Sequence, residues 1–336
     1  MCVPSASIGP TVLLFMSGPK RAGAALFDEA EHYRRLAASV VVAFILAMVT
    51  LPHVAGFQTD AWWLLRLYAV VGIPAATLPY IAWRNLKEMR PAVETTCLAM
   101  ASLPAFIVCT FVAMRTNLSL QDALLVRWDQ ALGLDWPAFV LLVDTSPLAS
   151  RLLGTAYESA FLQIVFVPLF LCACGFPGRA YRLIACYGLL VAISALVSVY
   201  FPSVSAYGGY HFDGSALQNV NSHNGYFFLD SFYAVRSEAN FVLSQSTAAG
   251  IVTFPSIHAG TAALLAWAAW PSRVLRYPIV ALNVLMAIGT VTHGAHYFVD
   301  VLAGFAVAAL SIRCSSLLAN WLSVSRVRQN AFDPAR

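Results

Sequence analysis

Apolar residues in this chain come in long blocks rather than in the alternating or amphipathic stretches of a water-soluble fold. Eight blocks stand out: Leu36 to Phe57, Ala61 to Trp83, Val93 to Met114, Leu152 to Gly175, Leu183 to Phe201, Ile257 to Trp270, Pro278 to Tyr297 and Val301 to Leu322. Most have the roughly 20 helical residues, rising 1.5 Å each, that cross a hydrocarbon core about 30 Å thick. The sixth is short and starts beside a proline. The pattern predicts an all-α membrane protein with about eight transmembrane helices. Two polar segments between blocks, 115–151 and 202–254, are too long for turns. In the first, Asp135 and Pro137 predict the start of a helix. Its few apolar residues cannot span, so it lies at the interface or re-enters. The second, rich in Gly, Ser, Asn and Tyr, predicts a polar cap.

Composition agrees with the blocks: 60% of the 336 residues are hydrophobic and 11% charged, against roughly 45–50% and 25% in a soluble domain. Charge then orients them. Fourteen of the 20 Lys and Arg fall before the first block, after the second, fourth and sixth, and at the C-terminus. The other set of loops has only Arg115, Arg127, Arg151 and Arg236, which predicts cytoplasmic N- and C-termini. The net charge of +4 is thus an orientation signal, and without cations gathered on one soluble face nucleic acid is not an expected partner. The apolar stretch Ile8 to Met16 is followed, not preceded, by Lys20 and Arg21, so it is assigned to a cytoplasmic tail rather than to a signal peptide. The seven cysteines form neither a disulfide framework nor a zinc pattern. The expected organisation is a tail at 1–35, two helices at 36–92, a membrane domain at 93–322 that includes both polar segments, and a tail at 323–336.

Chemistry concentrates near the end of the chain, in FPSIHAG (254–260) and THGAHYFVD (292–300). Topology brings both motifs to the extracytoplasmic face. On a continuous helix His296 and Asp300 are one turn apart and face the same way. A carboxylate on one imidazole nitrogen leaves the other basic and nucleophilic. His258 is then free to move the second proton, as phosphoryl transfer through a phosphohistidine requires. Pro255 and Ser256 mark a helix start whose free N–H groups suit phosphate, with the Ser256 hydroxyl as a further donor. Gly260 suits close helix packing. His293 either contacts substrate, orients a neighbour or caps the packing. Arg236 is a candidate phosphate partner or a solvated loop arginine, and Glu158 a candidate substrate contact or an interfacial hydrogen bond. A metal held by His258, His293, His296 and Asp300 matches no zinc signature, so neither metal nor cofactor is expected.

These motifs resemble those of the type 2 phosphatidic acid phosphatase superfamily, and within it the lipid phosphotransferase branch that includes inositol phosphorylceramide synthase and sphingomyelin synthases. There the histidine of PSxH and the pair of HxxxD form a catalytic triad, matched here by His258, His296 and Asp300. The resemblance implies a six-helix catalytic core from the third block onward, His296 as nucleophile, Asp300 as its orienting partner and His258 as general acid and base. The phosphatase pattern also includes KxxxxxxRP and SRxxxxxHxxxD. Here the only lysines are Lys20 and Lys87, the only Arg-Pro is Arg90-Pro91 on the opposite side of the membrane, and Thr290 stands where the second arginine is expected.

A phosphomonoester approaches two charges and rewards a cationic clamp, whereas a phosphodiester carries one. The expectation is therefore transfer of a phosphorylated head group from a phospholipid to a lipid or polyol hydroxyl, as in sphingolipid metabolism, by a multi-pass protein of a bacterial plasma membrane. A lipid phosphate or polyprenyl pyrophosphate phosphatase is the alternative, and a non-enzymatic lipid transporter is the second. Donor, acceptor and bilayer are the expected partners.

Overall fold

The computed structural model describes residues 19–116 and 118–332; Ile8 to Met16 lies outside them. Helix α1 (Pro19–Ala55) leads through β1 (Gln58–Thr59) to α2 (Ala61–Ala75), α3 (Leu78–Trp83) and α4 (Arg90–Met114). The first polar segment holds α5 (Asp122–Ala131) and α6 (Trp136–Asp144); α7 (Pro147–Glu158), α8 (Ala160–Ala173) and α9 (Pro177–Tyr200) follow. The second contains α10 (Ala206–Gly209), α11 (Leu229–Ser237) and β2 (Val242–Leu243), and α12 (Ile257–Ala269), α13 (Arg276–Thr292) and α14 (Phe298–Phe332) come after it. Helix starts follow local chemistry. Asp60, Asp135, Ser146 and Ser256 each turn an oxygen onto first-turn N–H groups, and Pro137, Pro147 and Pro177 sit where a missing N–H costs nothing.

This is an all-α membrane protein. Among the described residues five helices are long and apolar enough to cross a bilayer, and α7 with α8 makes a sixth, bent by 62°. The apolar α12 and α13 are shorter, at 13 and 17 residues. All eight blocks are therefore helical, but two fall short of a full span. Exposed apolar side chains such as Val42, Leu46, Val54, Leu65 and Ile73 stud α1 and α2, as a lipid-facing surface requires.

The fourth block is not one straight span. Helix α7 packs against α13, while α8 packs against α4, α9 and α12, so the halves diverge at Ser159. The Ser159 hydroxyl donates to Ala156 O (2.6 Å) and accepts from Gln163 Nε2 (2.9 Å), satisfying groups at the corner. The seventh block also ends early, at Thr292 rather than Tyr297, because the chain turns sharply there.

Helix α9 is the hub, packed against α1, α4, α8, α12 and α14. Next to it, α12 and α14 cross backbone to backbone. A Cβ on Gly260 would lie 3.0 Å from Gly304 O, and one on Gly304 would lie 2.4 Å from Ser256 O. The crossing admits only glycine, which accounts for Gly260 by packing.

The leading helices are tied to the second polar segment at two points. Gln58–Thr59 pairs in parallel with Val242–Leu243. The Arg115 guanidinium donates to Ala55 O (3.1 Å), Gly56 O (3.1 Å), Val235 O (2.6 Å) and Glu238 O (2.7 Å), joining α1 to α11 through four carbonyls.

The two polar segments are joined to each other as well. Asp144, at the end of α6, accepts the N–H groups of Gln218, Asn219 and Val220. Burial opposes its ionisation, but these three donors prevail and hold the carboxyl below its ordinary range. Because the folded value is depressed, the stabilisation is complete above the ordinary carboxylate pKa of about 4 and fades as pH falls below it. Limited proteolysis of residues 217–221 should therefore accelerate below that pH in the native protein, and at neutral pH in Asp144→Ala. Gly304→Ala should destabilise the protein by about 1–3 kcal/mol through overpacking, read as a lower melting temperature in detergent.

Candidate active site

The turn between α13 and α14 builds the site. His293 N and Gly294 N both bond Gly289 O, and the chain doubles back so that His296 N reaches Thr290 O at 3.2 Å. Ala295 adopts φ 54°, with its carbonyl taken by Ala206 N at 2.8 Å. Gly294 has no room for a side chain, since a Cβ there would lie 2.6 Å from Thr290 O and 2.7 Å from Tyr157 Cε2. The indole N–H of the fully buried Trp136 bridges Val291 O (3.1 Å) and His296 O (3.0 Å), clasping both sides of the turn.

The continuous helix expected through His296 and Asp300 is therefore corrected: α14 starts at Phe298, and His296 lies in the turn before it. The pair meets nonetheless. Asp300, in the first turn, reaches back so that its Oδ2 accepts Tyr297 N (3.0 Å) and faces His296 Nδ1 (3.1 Å). This is the acidic half of a capping box, with the histidine added as a second partner. With Nδ1–H donated to the carboxylate, Nε2 keeps its lone pair and faces the Ser256 hydroxyl at 3.4 Å.

Ser256 begins α12. Its Oγ accepts Ala259 N (3.2 Å), and its own N–H donates to Asp300 O (3.0 Å), so the starts of α12 and α14 are joined directly. His258, in the first turn of α12, stacks on Tyr157 with ring centroids 4.5 Å apart and planes at 30°. His258 and His296 both line a cavity of 430 Å³. Its other walls come from Leu103, Phe106 and Ile107 on α4, Tyr187 and Val191 on α9, and residues 249–253.

The remaining candidates lie elsewhere. His293 is buried behind the turn, with Nε2 3.2 Å from Ser150 Oγ, Nδ1 2.9 Å from Thr292 Oγ1, and its ring against Gly154. It holds α13 to α7. Arg236, on α11, donates to Leu118 O and Met114 O and lies over the Phe232 ring, away from the cavity wall. Glu158 is exposed at the bend, and its neighbour Tyr157 is the residue that meets His258. Among the described residues no three of His, Cys, Asp and Glu converge as a metal-ligand set.

Two acids on α5 add a feature that sequence reading missed. Asp122 and Asp129 face the start of α14, and burial pushes both carboxyls up. The Tyr297 hydroxyl opposes this at Asp122, and the N–H groups of Val299 and Phe298 oppose it at Asp129. Their only sequence signal is the spacing, seven residues along a short helix.

Tyr157 supports His258 through its ring. Tyr157→Phe should keep turnover near that of the parent, whereas Tyr157→Ala should lower it about 2- to 12-fold, as losing 0.5–1.5 kcal/mol of aromatic contact predicts. Initial rates of phosphate-ester turnover in detergent test this.

Comparison with known proteins completes the picture. No curated protein matches the chain, and no solved structure does. A family model described as PAP2 superfamily matches residues 123–314, more than half of the chain, from α5 into α14 and across Ser256, His258, His296 and Asp300. The chain thus belongs to the PAP2 superfamily, whose members are generally phosphatases and phosphotransferases.

Proposed function

We propose that this protein is a lipid phosphotransferase that moves a phosphorylated head group from a phospholipid to a lipid or polyol hydroxyl. The observation that carries the proposal is the cavity around the histidines: no lysine or arginine is found among the described residues that line it. Thr290, at the place of the phosphatase branch's second arginine, is buried and donates to Met286 O. A phosphomonoester would bring about 1.5 to 2 negative charges into this apolar space, while a diester brings one. The apolar wall suits the hydrocarbon chains of such a substrate.

In the first half-reaction, His296 Nε2 attacks phosphorus and forms a P–N bond. The P–O bond to the lipid's glycerol oxygen breaks, and the departing oxygen takes a proton from the His258 imidazolium. Asp300 holds the Nδ1–H and stabilises the charge that develops on His296. In the second, neutral His258 accepts the acceptor's hydroxyl proton as that oxygen attacks phosphorus. The P–N bond breaks, and its electron pair returns to Nε2. The Ser256 hydroxyl, 3.4 Å from Nε2, is placed to donate to the phosphoryl group as the transfer proceeds. Residues 93–322 form the catalytic membrane domain of this reading. In this reading the site faces the extracytoplasmic side of a plasma membrane and both termini lie in the cytoplasm, an orientation that the cation distribution supports.

Vesicles containing the purified protein, a phospholipid labelled in its phosphate and a series of lipid and polyol alcohols should yield labelled acceptor. His296→Ala should abolish the reaction, and His258→Ala should slow it about 10²- to 10⁴-fold. Transfer of the label to water alone as the phosphorylated head group, whichever acceptor is supplied, would establish a hydrolase instead, and release of inorganic phosphate from a lipid phosphomonoester would establish a phosphatase. Lipid movement between leaflets that survives His296→Ala would establish a transporter.

A further inference from the structure

Asp122 and Asp129 are seven residues apart on α5, two turns that bring them to one face of the helix. That face meets the first turn of α14. Asp129, fully buried, accepts Phe298 N at Oδ2 (3.0 Å) and Val299 N at Oδ1 (2.9 Å). Asp122 accepts the Tyr297 hydroxyl (2.8 Å), which also faces Ser205 O (2.9 Å), and the same carboxylate accepts Val204 N. A helix ordinarily satisfies its first N–H groups with the side chain of the residue that precedes it. Here that residue is Tyr297, whose hydroxyl is turned to Asp122. A carboxylate from another helix takes over the cap, and its negative charge complements the positive end of α14.

This arrangement bears on the catalytic pair. Three consecutive N–H groups, those of Tyr297, Phe298 and Val299, are divided between two carboxylates. Asp129 takes the last two, so Asp300 Oδ2 has only Tyr297 N to serve besides His296. Without Asp129, the part-buried N–H of Phe298 and the buried N–H of Val299, two and one residues from Asp300, would be left unpaired, and the first turn would have to rotate or fray to satisfy them.

We propose that Asp122 and Asp129 are positioning residues: α5 is a two-carboxylate clamp that fixes the first turn of α14 and thereby holds Asp300 Oδ2 against His296 Nδ1. The proposal rests on the reading of His296 as the nucleophile, and it applies equally to transfer and to hydrolysis. Asp129 bonds no residue of the cavity wall, so its loss acts on chemistry rather than on lipid binding, whereas Asp122 also holds Val204 of that wall.

The test is Asp129→Asn, which keeps the size and one acceptor but sets an amide NH2 against one of the two backbone donors. In preparations matched for folded fraction, kcat should fall about 10- to 100-fold, the effect of a misplacement near 1 Å. KM for the phospholipid should stay within about twofold, since ground-state binding is untouched. In an Asp300→Asn background the same change should cost less than about threefold, because the interaction it protects is already gone. Equal losses in both backgrounds, or a loss confined to KM, would overturn the clamp.

Tyr297→Phe, which removes a single hydroxyl, serves as the second variant if Asp129→Asn does not fold. A several-fold loss of kcat that vanishes in the Asp300→Asn background supports the clamp, and an unchanged kcat overturns it. Where the parent protein only hydrolyses, release of the hydrolysis product gives the same kcat. Failure of the transfer reading is thus distinct from failure of the clamp, while a catalytically active His296→Ala protein would remove the nucleophile on which both rest.

Discussion

One carboxylate oxygen, Oδ2 of the buried Asp300, does two jobs: it ends the backbone of a turn and orients the ring of His296. A buried carboxylate is costly unless its lone pairs are used, and here the helix start supplies the partner that makes the second use possible. Around that atom the structure supplies restraint from several directions. Ser256 N binds the Asp300 carbonyl, Gly304 lets α12 lie against α14, and Trp136 clasps the turn through two carbonyls. Each contact comes from a different stretch of chain, so the geometry of two side chains depends on helices that are remote in sequence.

Much of this was legible in the residues. The eight apolar blocks are helices, Asp135 caps the short helix at Trp136, and Ser256, His258, His296 and Asp300 gather at one place. Block length and side-chain chemistry are local properties, and they survive folding. What was not legible depends on approach between distant elements. The bend at Ser159 arises because α7 and α8 choose different neighbours. The seventh block ends early because Gly294 and Ala295 turn back onto Thr290, although the hydropathy continues across them. His293, read as a substrate contact, an orienting residue or a packing cap, is occupied by Ser150 and Thr292. Tyr157 and Asp129 carried no motif, and only the fold gives them a partner.

The chain also divides its labour unevenly. The family match begins at residue 123, yet Leu103, Phe106, Ile107 and Thr110 on α4 form a wall of the cavity. The groups that face phosphorus in the proposed reaction lie inside the matched region, while part of the surface that meets hydrocarbon lies before it. An apolar wall is tuned by size and shape without disturbing hydrogen bonds. In the proposed reaction, part of what sets substrate preference thus lies outside the segment that carries the chemistry.

The strand pair that joins Gln58–Thr59 to Val242–Leu243, together with the Arg115 bridge across α1 and α11, spans a large part of the chain. Contacts of such long sequence separation are made late, after the loop entropy between their ends has been overcome. Residues 249–253, which close one side of the cavity, follow directly from that second strand. During synthesis the leading helices are complete long before their partners exist. The cavity therefore acquires this wall only after residues 249–253 have been made, and a chain that stops short of them lacks that side of the cavity.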